Sequence, residues 1–153
     1  MKMSIVKAQK KIYAIKGELS ELESRLQDSI TTIEGNEYKE SFDTLINEIH
    51  RKKTQLVSLK TDVMTANIEF GMFVKILELG ENKSWINTYK ALNIVEGKQT
   101  GSRWDNGVGA IYQTQLSEKS RQDNLKKIKA TIEQLTDELD QFNATHYVEV
   151  DIY

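Results

Sequence analysis

The chain reads as a mainly α protein with a small β element, and three stretches of apolar residues spaced alternately three and four apart carry that reading. The first runs through Ile5, Ala8, Ile12, Ile15, Leu19, Leu22, Leu26, Ser29 and Ile33. The second runs through Phe42, Leu45, Ile49, Lys52, Leu56, Leu59, Val63, Ala66 and Phe70, and stays in phase to Phe73 and Leu77. The third runs through Leu125, Ile128, Ile132, Leu135, Leu139 and Phe142. Residues three and four apart share one helix face, so each stretch forms a seam that needs a partner helix. The predicted architecture is a long antiparallel helical hairpin plus further helices packed as a coiled-coil-like bundle, with a short β-hairpin and a C-terminal strand.

The first helix should cover about Ser4 to Ile33, a length on the order of 45 Å at 1.5 Å per residue. Glu34-Gly35-Asn36 reads as the turn, with Gly35 free to take the left-handed C-cap conformation. The second helix should start near Glu40 or Ser41, with Ser41 as N-cap. So short a turn implies that the two helices lie antiparallel. Because the seam keeps its phase past Gly71, a bend rather than a stop is expected there, at about 1 kcal/mol relative to alanine. Gly80 is a second weak point, and Trp85, Ile86, Tyr89, Leu92 and Val95 give a further helical face before Gly97.

The character changes over residues 97–116, a glycine-rich insertion holding Gly97, Gly101, Gly107 and Gly109. Asn106-Gly107 signals a tight type I′ hairpin, whose central residues need positive φ. Alternation from Val108 to Leu116 predicts one strand, with a shorter one before the turn. The last helix should run from about Glu118 to Asn143, capped by Ser117 or Ser120. Residues 145–153 alternate again, with His146, Val148, Val150 and Ile152 on one face, and read as a terminal strand. That strand needs a partner, either the Val108–Leu116 strand or a neighbouring copy. The expected organisation is a single elongated helical domain over residues 1–153.

Composition narrows the function. A hydrophobic fraction of 39% suits a narrow helical core, with burial between copies of the chain, and the seams point to a homo-oligomer. The formal net charge is -2, and no basic tract marks a duplex-DNA footprint. Zero cysteines exclude disulfides, thiolate nucleophiles and Cys-ligated zinc. Proline is absent, so glycine must supply the punctuation. The N-terminal residues carry charge and no signal-peptide core, and no apolar run spans a bilayer. A soluble protein of the bacterial cytoplasm, without membrane partner, is the expectation. The wealth of Lys, Ile, Asn and Thr suits an AT-rich genome, that of a low-GC bacterium or its phage.

The opening Ile5-Val6-Lys7-Ala8, the two heptad helices, Asn67 near the end of the second, the glycine-bearing hairpin and the closing Leu139-Asp140-Gln141-Phe142-Asn143-Ala144-Thr145 before an alternating strand together resemble one family. It is the poorly characterised septicolysin-like family of small helical bacterial and prophage proteins. The likeness covers most of the chain, and the Leu-Asp-x-x-Asn-x-Thr ending is its most distinctive part. The hairpin region departs from it, being longer in glycine and polar residues. The resemblance implies a fold and no activity.

Candidate chemistry is sparse. His50 and His146 lie on distant segments without metal-ligand spacing, and both read as structural. No nucleophilic triad, P-loop or dinucleotide fingerprint is present, so neither metal nor cofactor is implied and a hydrolase is the weakest reading. Lys52, a charge on the second seam, reads as a register-setting residue. Site-like chemistry gathers in the glycine-rich stretch. Arg103 offers a planar fork of donors for phosphate, Trp104 and Tyr112 offer stacking faces, and Asn106 and Lys98 add polar and positive groups. As a ligand site, these residues suggest a non-enzymatic oligomer that sequesters a small phosphorylated or nucleotide-like molecule, in a phage a sponge for a host-defence nucleotide signal. The same residues also fit a surface hairpin that covers helix ends. The alternative function is a coiled-coil structural, assembly or adaptor protein that uses the seams alone.

Overall fold

The computed structural model describes residues 1–98 and 110–150. In chain order they form β1 (Lys2–Ser4), α1 (Ile5–Ser29), α2 (Phe42–Glu69), α3 (Met72–Ala91), β2 (Gly97–Lys98), β3 (Ile111–Tyr112), α4 (Glu118–Thr145) and β4 (Tyr147–Glu149). The fold is mainly α, with β1 paired to β4 and β2 paired to β3, both antiparallel. The residues divide into two compact units, one of Met1–Phe73 with Leu139–Tyr153, the other of Val74–Glu138.

The first unit is built on the α1–α2 hairpin. Ile5, Ala8, Ile15, Leu19 and Leu22 of α1 are buried against Leu45, Ile49, Leu59, Val63 and Ala66 of α2. Burying one such Ile or Leu is worth about 1.5–3 kcal/mol relative to exposure. Three ion pairs cross the hairpin: Glu18 with Lys52, Glu23 with Lys53 at 3.2 Å, and Arg25 with Glu40. From Glu18 to Arg25 the partner moves back from Lys52 to Glu40, just before the start of α2, which makes the helices antiparallel, as the seams require. Lys52 thus joins its own hairpin, its side chain only 18% exposed and held by Glu18.

The turn differs from the expectation. Helix α1 ends at Ser29, and Ile33 is exposed. Ile30, Thr31, Thr32 and Ile33 are four β-branched residues in succession, and each loses χ1 freedom in a helix. Gly35 does take a left-handed φ of 90°, but in a turn closed by Asn36 N–H donating to Ile33 O at 2.9 Å, not as a C-cap. The connection therefore spans residues 30–40.

Gly71 also departs from the expected bend. Its φ of 71° ends α2 at Glu69, and α3 begins afresh at Met72. Phe70 N–H reaches Ala66 O and Gly71 N–H reaches Ile68 O, both at 3.1 Å, so the last carbonyls are satisfied as at a helix C-terminus. The seam phase beyond it is lost, and Leu77 is exposed. Gly80, by contrast, sits inside the unbroken α3.

The terminal strand finds a third partner that neither expected pairing included. β4 pairs with β1 in the register Met3↔Val148, placing Lys2 opposite Glu149. Ile5 N–H donates to His146 O at 3.0 Å and Val150 N–H to Met1 O at 2.9 Å, extending the ladder at both ends. Met3, Val148 and Val150 turn into the core while Tyr147 and Glu149 face out, which is the period-two alternation of the sequence. Ser4 leaves the strand with an extended φ/ψ of -65°/152° and caps α1 through its hydroxyl.

In the second unit α3 and α4 run antiparallel. Lys75 pairs with Glu138, and Arg121 donates to Leu92 O at 2.7 Å. Ser117 caps α4 as expected: its hydroxyl accepts from Ser120 N–H at 3.1 Å, and its carbonyl from Arg121 N–H at 2.9 Å. Leu125 and Leu135 of α4 are buried. Helix α3 turns one half-buried face inward, made of Lys75, Leu79, Asn82, Ile86 and Tyr89, and buries no residue fully.

Candidate functional site

The segment joining α3 to α4 holds every ligand-binding residue that the sequence suggested. Arg103, Trp104 and Asn106, with the expected Asn106-Gly107 turn, lie outside the described residues. Lys98 and Tyr112 fall within β2 and β3. The ladder pairs Gly97 with Tyr112 and Lys98 with Ile111, so the two backbones are brought together one rung apart. The strand expected over Val108–Leu116 is limited, among the described residues, to Ile111–Tyr112. Thr114 explains the early end. Its hydroxyl donates to Leu116 O at 2.8 Å and accepts from Leu116 N–H at 3.2 Å, a local turn that competes with the ladder.

Beside the ladder a shallow depression of about 480 Å³ is lined by Asn93, Val95, Tyr112, Gln113 and Thr114. Its lining offers amides, a hydroxyl and one half-exposed aromatic ring, and no described ionisable group other than the Tyr112 phenol. Such a surface can hydrogen-bond and stack. Its described lining residues include no nucleophile–base pair of the kind that covalent catalysis needs.

The base of the segment is clamped by Arg121, which the sequence reading passed over. Its guanidinium donates to Leu92 O, where α3 has just ended, and to both carboxylate oxygens of Glu118 at the start of α4. Gln122 adds a bond of 2.8 Å to Glu118. These bonds, Gln122 first and Arg121 next, hold the Glu118 carboxyl below its ordinary pKa. The signal in the sequence was an arginine one heptad step before Leu125, where a buried leucine would have been ordinary.

The two histidines lie in different surroundings. His146 stacks on Phe142 at 4.1 Å between ring centroids and meets the edge of Phe70 at 4.7 Å, while its Nδ1 lies 3.1 Å from Phe142 O. His50 is exposed on α2. Among the described residues no group of three potential metal ligands converges, and no helix is long and apolar enough to cross a membrane.

No family model and no curated protein matches the chain. Among solved structures it is similar to a functionally unknown conserved protein from Corynebacterium diphtheriae, with a TM-score of 0.72 at 15% sequence identity. The match covers 97% of this chain and 100% of that one. At that identity the likeness shows a shared fold.

Proposed function

We propose that this chain is a non-enzymatic assembly or adaptor protein that associates with a second copy of itself through α3. One observation carries the reading: α3 is the most apolar of the four described helices, yet none of its residues is buried. Val74, Leu77 and Trp85 are each more than half exposed, beyond the inward face already described. Scattered exposed apolar residues are ordinary, but a helix this apolar with no buried position is underused by its own chain. A like helix from another copy supplies the same surface twice in a two-fold contact.

Sedimentation velocity of the parent chain should give at least a dimer mass. Leu77→Glu with Trp85→Glu should reduce it to the monomer while far-UV circular dichroism stays helical. A monomeric parent at high concentration sinks the reading.

The second reading is sequestration of a small phosphorylated or nucleotide-like ligand in the bacterial cytoplasm, in a phage as a sponge for a host-defence signal. The half-exposed Tyr112 ring in the lining of the depression beside the β2–β3 ladder supports this reading. Calorimetry with cyclic nucleotides should then show binding that Tyr112→Ala weakens, with the ligand recovered unaltered. A ligand recovered in altered form would instead mean catalysis.

A further inference from the structure

The β1–β4 sheet of the first unit has an open edge. In an antiparallel ladder, residue pairs that exchange hydrogen bonds alternate with pairs whose N–H and C=O groups point away from each other. Met1 and Val150 exchange two bonds, of 2.8 and 2.9 Å, and Ile5 N–H donates to His146 O. The register then makes Met3 and Val148 the bonded pair between them, so the backbone groups of Tyr147 and Glu149 point away from β1. Among the described residues these groups meet no further strand, because the sheet stops at β4. Such an edge is a template for another strand, and proteins commonly guard it with lysine, proline or a covering element. β4 carries neither lysine nor proline.

The edge opens instead on a groove of about 230 Å³. Asp62, Thr65, Ala66 and Glu69 of α2 form one wall, and Tyr147 and Glu149 of β4 lie on the other. Asp62 and Glu69 are seven residues apart and so stand on one face of α2. Among the described residues neither is in an ion pair. The positions three and four away from each hold no cation within α2 or the start of α3. Glu149 has only a loose contact with Lys2 at 3.9 Å, the two side chains being 83% and 73% exposed. Three carboxylates therefore border the groove, and no described lining residue is cationic. A second copy adding its own β4 would bring the same carboxylates face to face, which is repulsive. A strand carrying lysine or arginine would meet opposite charge instead.

We propose that the β4 edge binds a basic peptide in extended conformation, which joins the sheet as a third strand. Backbone bonds to Tyr147 and Glu149 dock the peptide, and its alternating side chains set the choice of partner. Side chains on the Val148 face lie against Thr65 and Ala66, with cations reaching Asp62 and Glu69. Side chains on the opposite face stand beside Tyr147 and Glu149. This docking is separate from association through α3, and either holds without the other.

The test titrates the full chain with a fluorescein-labelled peptide of alternating lysine and valine, read by fluorescence anisotropy and by amide hydrogen exchange. Two control peptides accompany it, one with glutamate in place of lysine and one with a fully N-methylated backbone, which keeps the charge and removes the strand donors. The lysine peptide should bind and should slow exchange at the Tyr147 and Glu149 amides, and neither control should. Asp62→Asn with Glu69→Gln should weaken binding by roughly fivefold, the effect of two lost surface ion pairs. Neither side chain is buried, so that variant should keep the parent's circular dichroism. No anisotropy change with the lysine peptide, equal binding of either control, or undiminished affinity in the variant would each overturn the proposal. Tyr147 and Glu149 amides that exchange slowly without peptide, and more slowly as the protein is concentrated, would assign the edge to a second copy and overturn it as well.

Discussion

Replacing Gly71 with alanine separates two accounts of the α2–α3 junction by the sign of one measurement. If a single helix bent there, alanine would stabilise it by about 1 kcal/mol through helix propensity. In the structure Gly71 has a φ of 71°, and an added Cβ would meet nothing within 4 Å. The effect is therefore one of backbone alone. An L-residue in the left-handed region costs about 1–2 kcal/mol, partly offset by about 0.4–1 kcal/mol from a stiffer unfolded chain. The expected net loss is about 1 kcal/mol, or about 2–4 °C in melting temperature for a chain of this size. Gly80→Ala is the matched control. It also has open space around it, but it sits within α3 at ordinary helical geometry, so alanine should stabilise by about 1 kcal/mol. Far-UV circular dichroism melts at one protein concentration, needed because association shifts apparent stability, would compare both with the parent. A Gly71→Ala protein that melts higher, as Gly80→Ala should, would refute the break.

Two further outcomes follow from the first unit. Leu59, 1% exposed, should cost about 3 kcal/mol on truncation to alanine, whereas the half-buried Leu56 should cost about half as much; equal losses in urea denaturation would contradict the seam packing. Arg25 holds the Glu40 carboxyl below its ordinary pKa, so on acidification the unfolded chain takes up that proton first. The stabilising contribution is thus present above the ordinary glutamate value of about 4.3 and lost as pH falls through the lower folded value. The melting-temperature gap between parent and Glu40→Gln should therefore shrink from pH 7 to pH 3, and a gap that ignores pH would remove the Arg25–Glu40 pair from the account.

Helices were legible in the sequence because their signal is local and repeated. Leu19, Leu22, Ile49, Leu59 and Leu135 each recur at the right spacing, and all are buried. Ser117 announced the start of α4 through the same short-range chemistry. The breaks were harder to read. An apolar phase ran on through Ile33 and past Gly71, while β-branched crowding and one left-handed glycine ended the helices instead. The candidate site was legible only as a composition. Tyr112 and Lys98 do share a ladder, but Arg121, which ties the ends of their segment together, looked like one more basic residue on a helix.

By itself the sequence determined the mainly helical character, the pairing of α1 with α2 and the faces those two helices bury, since these follow from periods of three to four residues. Only the tertiary structure decided that the terminal strand joins residues 2–4 and that Asn93 and Tyr112 line one depression. Backbone hydrogen bonds carry no side-chain label, so strand partners distant in sequence are chosen by which edges the packed helices bring together. A pocket, likewise, is a property of the surfaces that meet there and not of any one segment.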